Sequence, residues 1–213
     1  MNLPEKISAK DVEVCVLTFN RCALLKQALE SLAGQTAAGL LVSVYDNASS
    51  DATAEVVKAA EKSFGGNLKY VRHAKNIGAD ANFHAALDGA SRKYTMFMHD
   101  DDIAHPNYLE YAIEAINKFG NVALLASDYT CVKLPPNSAV KFNRPQKKAL
   151  VFNNQEEFAA YIFCDGKASY SSAVYRTEDL RNFNRPNIYG KIGDTPVMID
   201  TSRGGKTVIL ADK

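Results

Sequence analysis

Strand-type and helix-type patterns alternate along the first part of the chain, and this alternation restricts the fold more than any other feature. Runs rich in β-branched and apolar residues predict strands, and apolar residues at helical spacing between them predict helices. The predicted strands are Val12–Phe19, Leu40–Tyr45, Leu68–Arg72, Tyr94–Met98 and Val122–Ala126. The predicted helices are Leu24–Ala33, Ala52–Phe64, Ala79–Ser91 and Pro106–Phe119. Repeated units of this kind are typical of an α/β fold with a mostly parallel sheet and helices on both faces.

The pattern weakens after Asp128. The predicted elements there are a helix over Asn153–Phe163, a strand over Ala168–Tyr175, a helix opening within Pro196–Ile199 and a terminal strand over Thr207–Leu210. No stretch has the composition of an interdomain linker, and 213 residues fit one domain. We therefore predict a single domain over residues 1–213.

Charge and cysteine content exclude several classes of protein. The formal net charge is +1, which argues against binding of nucleic acid, because such binding requires a clear basic excess. The four cysteines are far apart and lack zinc-site spacing, which favours a reduced, cytoplasmic protein. Neither a signal peptide nor a membrane-spanning segment is expected from the apolar runs. Peripheral association with the inner face of a membrane stays open.

Polar residues lie at the end of each of the first four predicted strands or directly after it. They are Thr18, Asn20 and Arg21; Asp46, Asn47 and Asp51; Arg72, His73 and Asn76; and Asp100, Asp101 and Asp102. In open α/β sheets ligands bind at the carboxyl ends of the strands, so these residues predict a shared ligand site. The alternative is ordinary loop chemistry, because Asp, Asn and Ser favour turns for local reasons.

Three consecutive carboxylates, Asp100, Asp101 and Asp102, end the predicted strand Tyr94–Met98. Crowded carboxylates raise one another's pKa unless a cation or water offsets their charge. Mg²⁺ and Mn²⁺ prefer oxygen ligands and often bind one or two carboxylates together with a substrate phosphate. The triplet therefore predicts a metal–diphosphate site. A solvated acidic turn that caps the helix after Pro106 is the alternative.

The phosphate loops of other nucleotide-binding folds are absent from the sequence. Thr18-Phe-Asn-Arg21 follows the first strand in place of Gly-x-Gly-x-x-Gly, and no Gly-Lys-Ser/Thr loop occurs. This disfavours NAD-dependent enzymes and ATPases. Asp46 is placed to accept hydrogen bonds from a base or a ribose. Asp46 on the base or ribose and a metal on the diphosphate would together hold a nucleoside diphosphate without a glycine-rich loop. We therefore predict a nucleoside-diphosphate ligand.

Four segments resemble the glycosyltransferases of family 2, which have the GT-A fold. They are Val16-Leu-Thr-Phe-Asn-Arg21, Val44-Tyr-Asp-Asn-Ala-Ser-Ser-Asp-Ala-Thr53, Asn76-Ile-Gly-Ala-Asp-Ala-Asn82 and Met98-His-Asp-Asp-Asp102 followed by Pro106. They occur in the family's order and spacing over about the first 130 residues. The resemblance implies that residues 1–130 bind the nucleotide sugar and that residues 131–213 form an acceptor-side half. The chain is short for this family, which leaves open that this half is truncated.

The resemblance also implies roles for individual residues. Thr18, Asn20 and Arg21 are expected in the nucleotide pocket, with Asp46 on the base, commonly uracil. Asn76 and Gly78 are expected beside the nucleotide, together with Asp100. Asp101 and Asp102 are the expected ligands of Mn²⁺ or Mg²⁺.

Two positions depart from the family pattern. His99 stands where many members have the first Asp, and we interpret it as a packing or hydrogen-bonding residue, because a hard cation prefers oxygen. The family's general base is an acidic residue ahead of an apolar helix. Asp194 is the best match, although Gly193 replaces the usual Glu. A helix cap is the alternative role for Asp194. Tyr170-Ser171-Ser172 and Tyr189-Gly190 are candidates for the acceptor cleft.

The activity implied by the resemblance is transfer of a sugar from a nucleotide-diphosphate donor, a UDP-sugar, to a hydroxyl acceptor with inversion. The acceptor is expected to be a carbohydrate or a lipid-linked carbohydrate. Two alternatives remain open: a non-catalytic nucleotide- or carbohydrate-binding module, or a fragment of a longer transferase. A nucleotidyltransferase is disfavoured because its glycine-rich loop is missing.

Overall fold

Eight strands form one mixed sheet in a computed structural model that describes residues 6–131, 142, 148–164, 166–182 and 194–211. The strands are β1 (Val12–Thr18), β2 (Leu41–Asp46), β3 (Leu68–Arg72), β4 (Tyr94–His99), β5 (Val122–Ser127), β6 (Lys148–Phe152), β7 (Val174–Arg176) and β8 (Lys206–Ala211). Their order across the sheet is β3-β2-β1-β4-β7-β5-β8-β6. Only β6 and β7 run against the other strands, so the sheet is mostly parallel, as predicted.

Helices cover both faces of the sheet, which confirms the predicted layers. They are α1 (Cys22–Ala33), α2 (Thr53–Phe64), α3 (Ala79–Gly89), α4 (Tyr108–Phe119), α5 (Gln155–Phe163), α6 (Thr177–Arg181) and α7 (Asp194–Thr201). Side chains alternate along β1, so Val14 and Val16 pack with α1, α2 and α4, whereas Cys15 packs in the cluster that contains α3, α5 and α7. No helix in the described ranges has both the length and the apolar content needed to cross a bilayer.

The second half departs from the predicted elements. The strand predicted over Ala168–Tyr175 is wrong for most of its length, because only Val174–Arg176 pairs in the sheet. The preceding residues turn, with Ala173 N donating to Tyr170 O at 3.1 Å. β6 and α6 were not predicted. Helix α7 begins at Asp194, ahead of the predicted opening, and α4 begins at Tyr108 rather than at Pro106.

Gly89 at the end of α3 lies against the buried side chain of Tyr45. A Cβ atom at position 89 would lie 2.2 Å from Tyr45 Oη. This hydroxyl is buried without a hydrogen-bond partner among the described residues, and burial raises the pKa of Tyr45 to about 12. We expect Gly89→Ala to lower the free energy of unfolding by about 1–3 kcal/mol, because overpacking a filled core strains it.

Removing the Tyr45 hydroxyl should relieve that clash. We expect Tyr45→Phe alone to change stability little, because it removes an unpaired hydroxyl, and to restore most of the stability that Gly89→Ala loses. Urea unfolding of both single variants and the double variant measures this coupling. Simple additivity of the two effects would contradict the proposed clash.

Candidate functional site

The polar residues that follow β1, β2 and β4 meet at one edge of the sheet. Strand β1 lies between β2 and β4, with Thr18 opposite Asp46 and Leu17 opposite His99. Because these strands are parallel and in register, their carboxyl ends are adjacent. The sheet therefore brings together segments that are far apart in the sequence.

The acidic turn that follows β4 consists of Asp100, Asp101 and Asp102, and Asp100 is its inward-facing member. Its residue exposure is 3%, and its two oxygens accept hydrogen bonds from Thr18 Oγ1 at 2.8 Å and from Arg21 Nη1 at 3.2 Å. Burial raises the pKa of Asp100, although the Thr18 hydroxyl and the Arg21 guanidinium oppose this shift. Asp100 thus joins the end of β4 to the end of β1 through both of its oxygens.

Asp101, Asp102 and His99 face outward beside it. One ligand atom from each of these residues can be chosen so that all three lie within 4.8 Å of one another. Arg21 Nη1 is 3.1 Å from Asp101 Oδ2, and the Ser171 hydroxyl donates to Asp102 Oδ2. The exposed Asp101, the half-exposed Asp102 and an imidazole form a donor set that fits a divalent cation.

Asp46 at the end of β2 is completely buried. Its Oδ1 accepts from Ser49 N at 2.8 Å, and its Oδ2 accepts from the Tyr70 hydroxyl at 2.6 Å and lies 3.3 Å from Arg72 Nε. Arg72 Nη2 also donates to Ser49 O at 2.7 Å. Burial and the bond to Asp46 both raise the pKa of Tyr70. Asp46 therefore orders the turn after β2 and holds a cationic side chain at its rim.

Asn47 connects this turn to the segment that precedes α3. Its Nδ2 donates to Asn76 Oδ1 at 3.0 Å, and its Oδ1 accepts from Ile77 N at 2.8 Å. Asn76 Oδ1 also accepts from Gly78 N at 2.9 Å. Gly78 has φ +88°, a conformation that glycine adopts without strain and other residues rarely adopt. The loop that enters α3 is thus fixed to the end of β2.

Asn20 and Asp51 tie the end of β1 to the same turn. Asn20 has φ +53° and accepts from Ser50 N at 2.7 Å through its Oδ1. Asp51 accepts from Cys22 N at 2.9 Å and from the Thr53 hydroxyl at 2.6 Å. Partial burial raises the pKa of Asp51, but these hydrogen bonds outweigh it, so the net shift is downward. The first turn of α1 and that of α2 are therefore held together by one carboxylate.

The segment ahead of β7 lies over the acidic turn. Ser171 donates to Asp102, and Ser172 O accepts from the Tyr108 hydroxyl. The Tyr170 ring lies 6.1 Å from the Phe83 ring of α3. Of the residues suggested for an acceptor cleft, Tyr170, Ser171 and Ser172 thus lie beside the acidic turn, whereas Tyr189 and Gly190 fall outside the described residues.

Asp194 is the exposed first residue of α7. In the described residues no hydrogen bond or ion pair joins it to the acidic turn. Its charge contributes to the raised pKa of the buried Tyr175 hydroxyl, after burial and Tyr170. The Tyr175 ring lies 5.9 Å from the Tyr170 ring, next to Ser171. Helix α7 packs in the same apolar cluster as Tyr175 and Tyr170, so Asp194 is on the side of the sheet that carries the segment over the acidic turn. Gly193 lies outside the described residues.

The sequence indicated most of these residues but missed two partners of Asp46. Thr18, Arg21, Asp100 and Asp101 form one hydrogen-bonded group. The predicted residues that bond within or to the turn after β2 are Asn20, Asp46 and Asn76, and Gly78 bonds to Asn76. Asp102 bonds instead to Ser171. The missed partners are Tyr70 and Ser49. A signal for Tyr70 existed, because Asp46 pairs with Arg72 on β3, and the residue two places earlier is its diagonal neighbour.

Comparison with known families gives a match over most of the chain. The family model described as "Glycosyl transferase family 2" matches residues 13–178. A curated relative from Campylobacter jejuni, GalNAc(5)-diNAcBac-PP-undecaprenol beta-1,3-glucosyltransferase, is 31% identical over 115 residues, which are 52% of this chain and 37% of that protein. The chain spans less than half the length of the first curated relatives that it matches.

Solved structures resemble the fold across nearly the whole chain. Residues 1–349 of S. aureus TarS in complex with UDP-GlcNAc superpose with a TM-score of 0.74 at 21% identity, covering 95% of this chain and 56% of that one. Glucosyl-3-phosphoglycerate synthase from Mycobacterium tuberculosis, in complex with Mn²⁺, UDP and glucosyl-3-phosphoglycerate, gives a TM-score of 0.61 at 16% identity, covering 96% and 72%. These likenesses confirm the predicted GT-A-like fold.

Proposed function

The chain belongs to glycosyl transferase family 2, and from this premise we propose that it transfers a sugar from a UDP-sugar to a hydroxyl acceptor with inversion at the anomeric carbon. The observation that carries the proposal is that the three aspartates of the acidic turn have different surroundings. Asp100 is buried against Thr18 and Arg21, whereas Asp101 and Asp102 face outward at the carboxyl edge of the sheet. This arrangement suits a diphosphate that is held next to a divalent cation.

We assign the binding of the sugar donor, a UDP-sugar, to residues in the first half of the chain. Asn20, Asn76 and Gly78 supply polar and backbone groups around the turn after β2, and Arg21 supplies a cation toward the diphosphate. A base reaches Asp46 only if the side chains that cover it move, because Asp46 is completely buried beneath partners such as Tyr70 and Arg72. Uridine is the proposed nucleoside, supported by the UDP-GlcNAc and UDP named for the two structural relatives.

Asp101 and Asp102 are the proposed carboxylate ligands of Mn²⁺ or Mg²⁺. Their exposure and separation fit this role, and Mn²⁺ is named in the mycobacterial relative. A bound divalent cation supplies positive charge that stabilises the departing diphosphate. Arg21 lies against Asp100 and Asp101, so it shares Asp101 with the proposed cation site. With a cation bound there, the guanidinium would be free to turn toward the diphosphate oxygens.

The transfer is a single displacement. The acceptor hydroxyl oxygen forms a bond to the anomeric carbon as the bond from that carbon to the diphosphate oxygen breaks, and UDP leaves with the bonding pair. Asp194 accepts the proton of the attacking hydroxyl. Tyr170 and Ser171 line the acceptor side, because they lie over the acidic turn.

The proposed acceptor is a carbohydrate or a lipid-linked carbohydrate. The relative from Campylobacter jejuni carries diphosphate-undecaprenol in its name, which supports a lipid-linked acceptor. Such an acceptor would bring the protein to a membrane surface for each transfer. Peripheral membrane association is part of this proposal.

A thermal-shift panel of nucleotide sugars with Mn²⁺ tests donor binding, because a ligand that binds only the folded state raises its melting temperature. We expect UDP-sugars to raise Tm more than GDP- or CDP-sugars. Hydrolysis of the stabilising UDP-sugar in the absence of acceptor then separates two classes of protein. Slow release of UDP supports the enzyme, whereas binding without release supports a non-catalytic module.

Arg21 should compete with the cation for Asp101 when no nucleotide is bound. We expect Arg21→Gln to tighten Mn²⁺ binding to the nucleotide-free protein by roughly two- to fivefold, which corresponds to the removal of an exposed ion pair. Titration of free Mn²⁺ by electron paramagnetic resonance measures this affinity. Arg203→Gln is the matched control, because Arg203 pairs with Asp200 and should leave the affinity unchanged. Weaker Mn²⁺ binding in Arg21→Gln would contradict the competition.

A further inference from the structure

His99 occupies the first position of the acidic motif, and its surroundings are not those of a packing residue. Its side chain is 49% exposed, although the five residues before it on β4 are buried. Its Nδ1 is 4.0 Å from Asp102 Oδ2, which is beyond hydrogen-bond distance. Among the described residues, no hydrogen bond holds its ring. The imidazole is therefore available to a ligand from solution.

The donor atoms at this edge are one nitrogen and several carboxylate oxygens. Asp100 is excluded because it is buried and bonded to Thr18 and Arg21. The residues that remain accessible to a cation are His99, Asp101 and Asp102. Each offers one ligand atom, and these three atoms all lie within 4.8 Å of one another. Two ligands that are each about 2.1 Å from one metal ion can be at most about 4.2 Å apart. Small rotations of these exposed side chains close that difference.

We propose that His99 is a nitrogen ligand of the divalent cation and makes this site select Mn²⁺ over Mg²⁺, an inference that rests on the proposed function. Mn²⁺ prefers oxygen ligands as Mg²⁺ does, but as a first-row transition metal it also accepts an imidazole nitrogen. Mg²⁺ keeps to oxygen ligands and water in near-ideal octahedral geometry. An aspartate at position 99 would give an all-oxygen set that serves both metals. With His99 the set has one fewer negative charge, which weakens its purely electrostatic hold on Mg²⁺.

The neighbouring contacts favour this assignment. Ser171 donates to Asp102 Oδ2 and so orients the carboxylate that faces His99. The other histidine near the acidic turn, His105, is already engaged. Its Nδ1 accepts from Asn107 N at 3.1 Å, and its ring lies 4.9 Å from that of Phe142. His99 is therefore the imidazole of this loop that is placed to bind a cation.

Pulsed electron paramagnetic resonance of the protein with Mn²⁺ and UDP tests the proposal directly. We expect ¹⁴N modulation from a directly bound imidazole in the wild-type protein and its loss in His99→Ala and His99→Asp. His84→Ala is the matched control, because His84 is a half-exposed histidine on α3 beside Asp80 and its removal should leave the signal unchanged. His99→Ala also reports any residual signal from uracil nitrogens.

Metal selectivity gives a second readout that does not need turnover. We expect the ratio of Mn²⁺ to Mg²⁺ affinity, measured by calorimetry with UDP present, to fall about tenfold in His99→Asp. Bound Mn²⁺ without ¹⁴N modulation in the wild-type protein, or an unchanged affinity ratio in His99→Asp, would overturn the role of His99 and leave the proposed function standing. Failure of the wild-type protein to bind Mn²⁺ and UDP at all would overturn both.

Discussion

Replacing Asp101 with alanine is expected to abolish metal-dependent binding of UDP. Asp101 is an exposed carboxylate whose charged contact is Arg21, so its loss should remove a cation ligand without disturbing the core. We expect Mn²⁺ affinity in the presence of UDP to fall by more than about 100-fold. Replacing a residue that only hydrogen-bonds to a metal ligand already lowers metal affinity about 10–100-fold, and Asp101 is a proposed ligand itself. Calorimetry of UDP binding, with Mn²⁺ and with a chelator, measures the loss.

Asp88→Ala is the matched control for this change. Asp88 is an exposed aspartate near the end of α3, so its removal alters the net charge equally but leaves the acidic turn intact. UDP affinity measured with the chelator should be similar in the wild-type protein and both variants. If Asp101→Ala bound UDP in Mn²⁺ as tightly as the wild-type protein does, the metal assignment would be rejected.

The part of the site in the first half follows from local sequence patterns and sheet geometry. Apolar runs predict the strands, and parallel neighbours place their polar ends together. The contact between Thr18 and Asp100 is an example, since these residues are 82 positions apart and yet end adjacent strands. The helix entrance at Gly78 is similarly predictable, because its positive φ favours glycine.

The second half was less predictable because its contacts depend on pairings between distant segments. Strand β7, Val174–Arg176, is only three residues long and inserts antiparallel between β4 and β5. Such a short strand has no periodicity of its own, and its neighbours decide its conformation. The bond from Ser171 to Asp102 depends on that insertion, because it spans 69 positions. No local pattern predicts it.

Replacing Asp194 with asparagine is expected to leave UDP binding in Mn²⁺ unchanged and to lower the rate of sugar transfer by roughly 10²-fold or more, the usual contribution of a general base. Asparagine keeps the size of the side chain and an oxygen acceptor at the start of α7, but it cannot take up the proton of the acceptor hydroxyl. The measurements are calorimetry of UDP binding and the rate of UDP release with acceptor present.

A helix-capping role for Asp194 predicts a different result. Asparagine caps a helix about as well as aspartate. Asp194→Asn would then leave the transfer rate intact and lower Tm only through the lost interaction of the charge with the helix dipole, about 0.3–1 kcal/mol. Asp200→Asn is the matched control, because Asp200 lies on the same helix and pairs with Arg203. Its transfer rate should equal that of the wild-type protein. Full activity in Asp194→Asn would reject the base, whereas a slow variant with wild-type Tm and UDP affinity would assign proton transfer to Asp194.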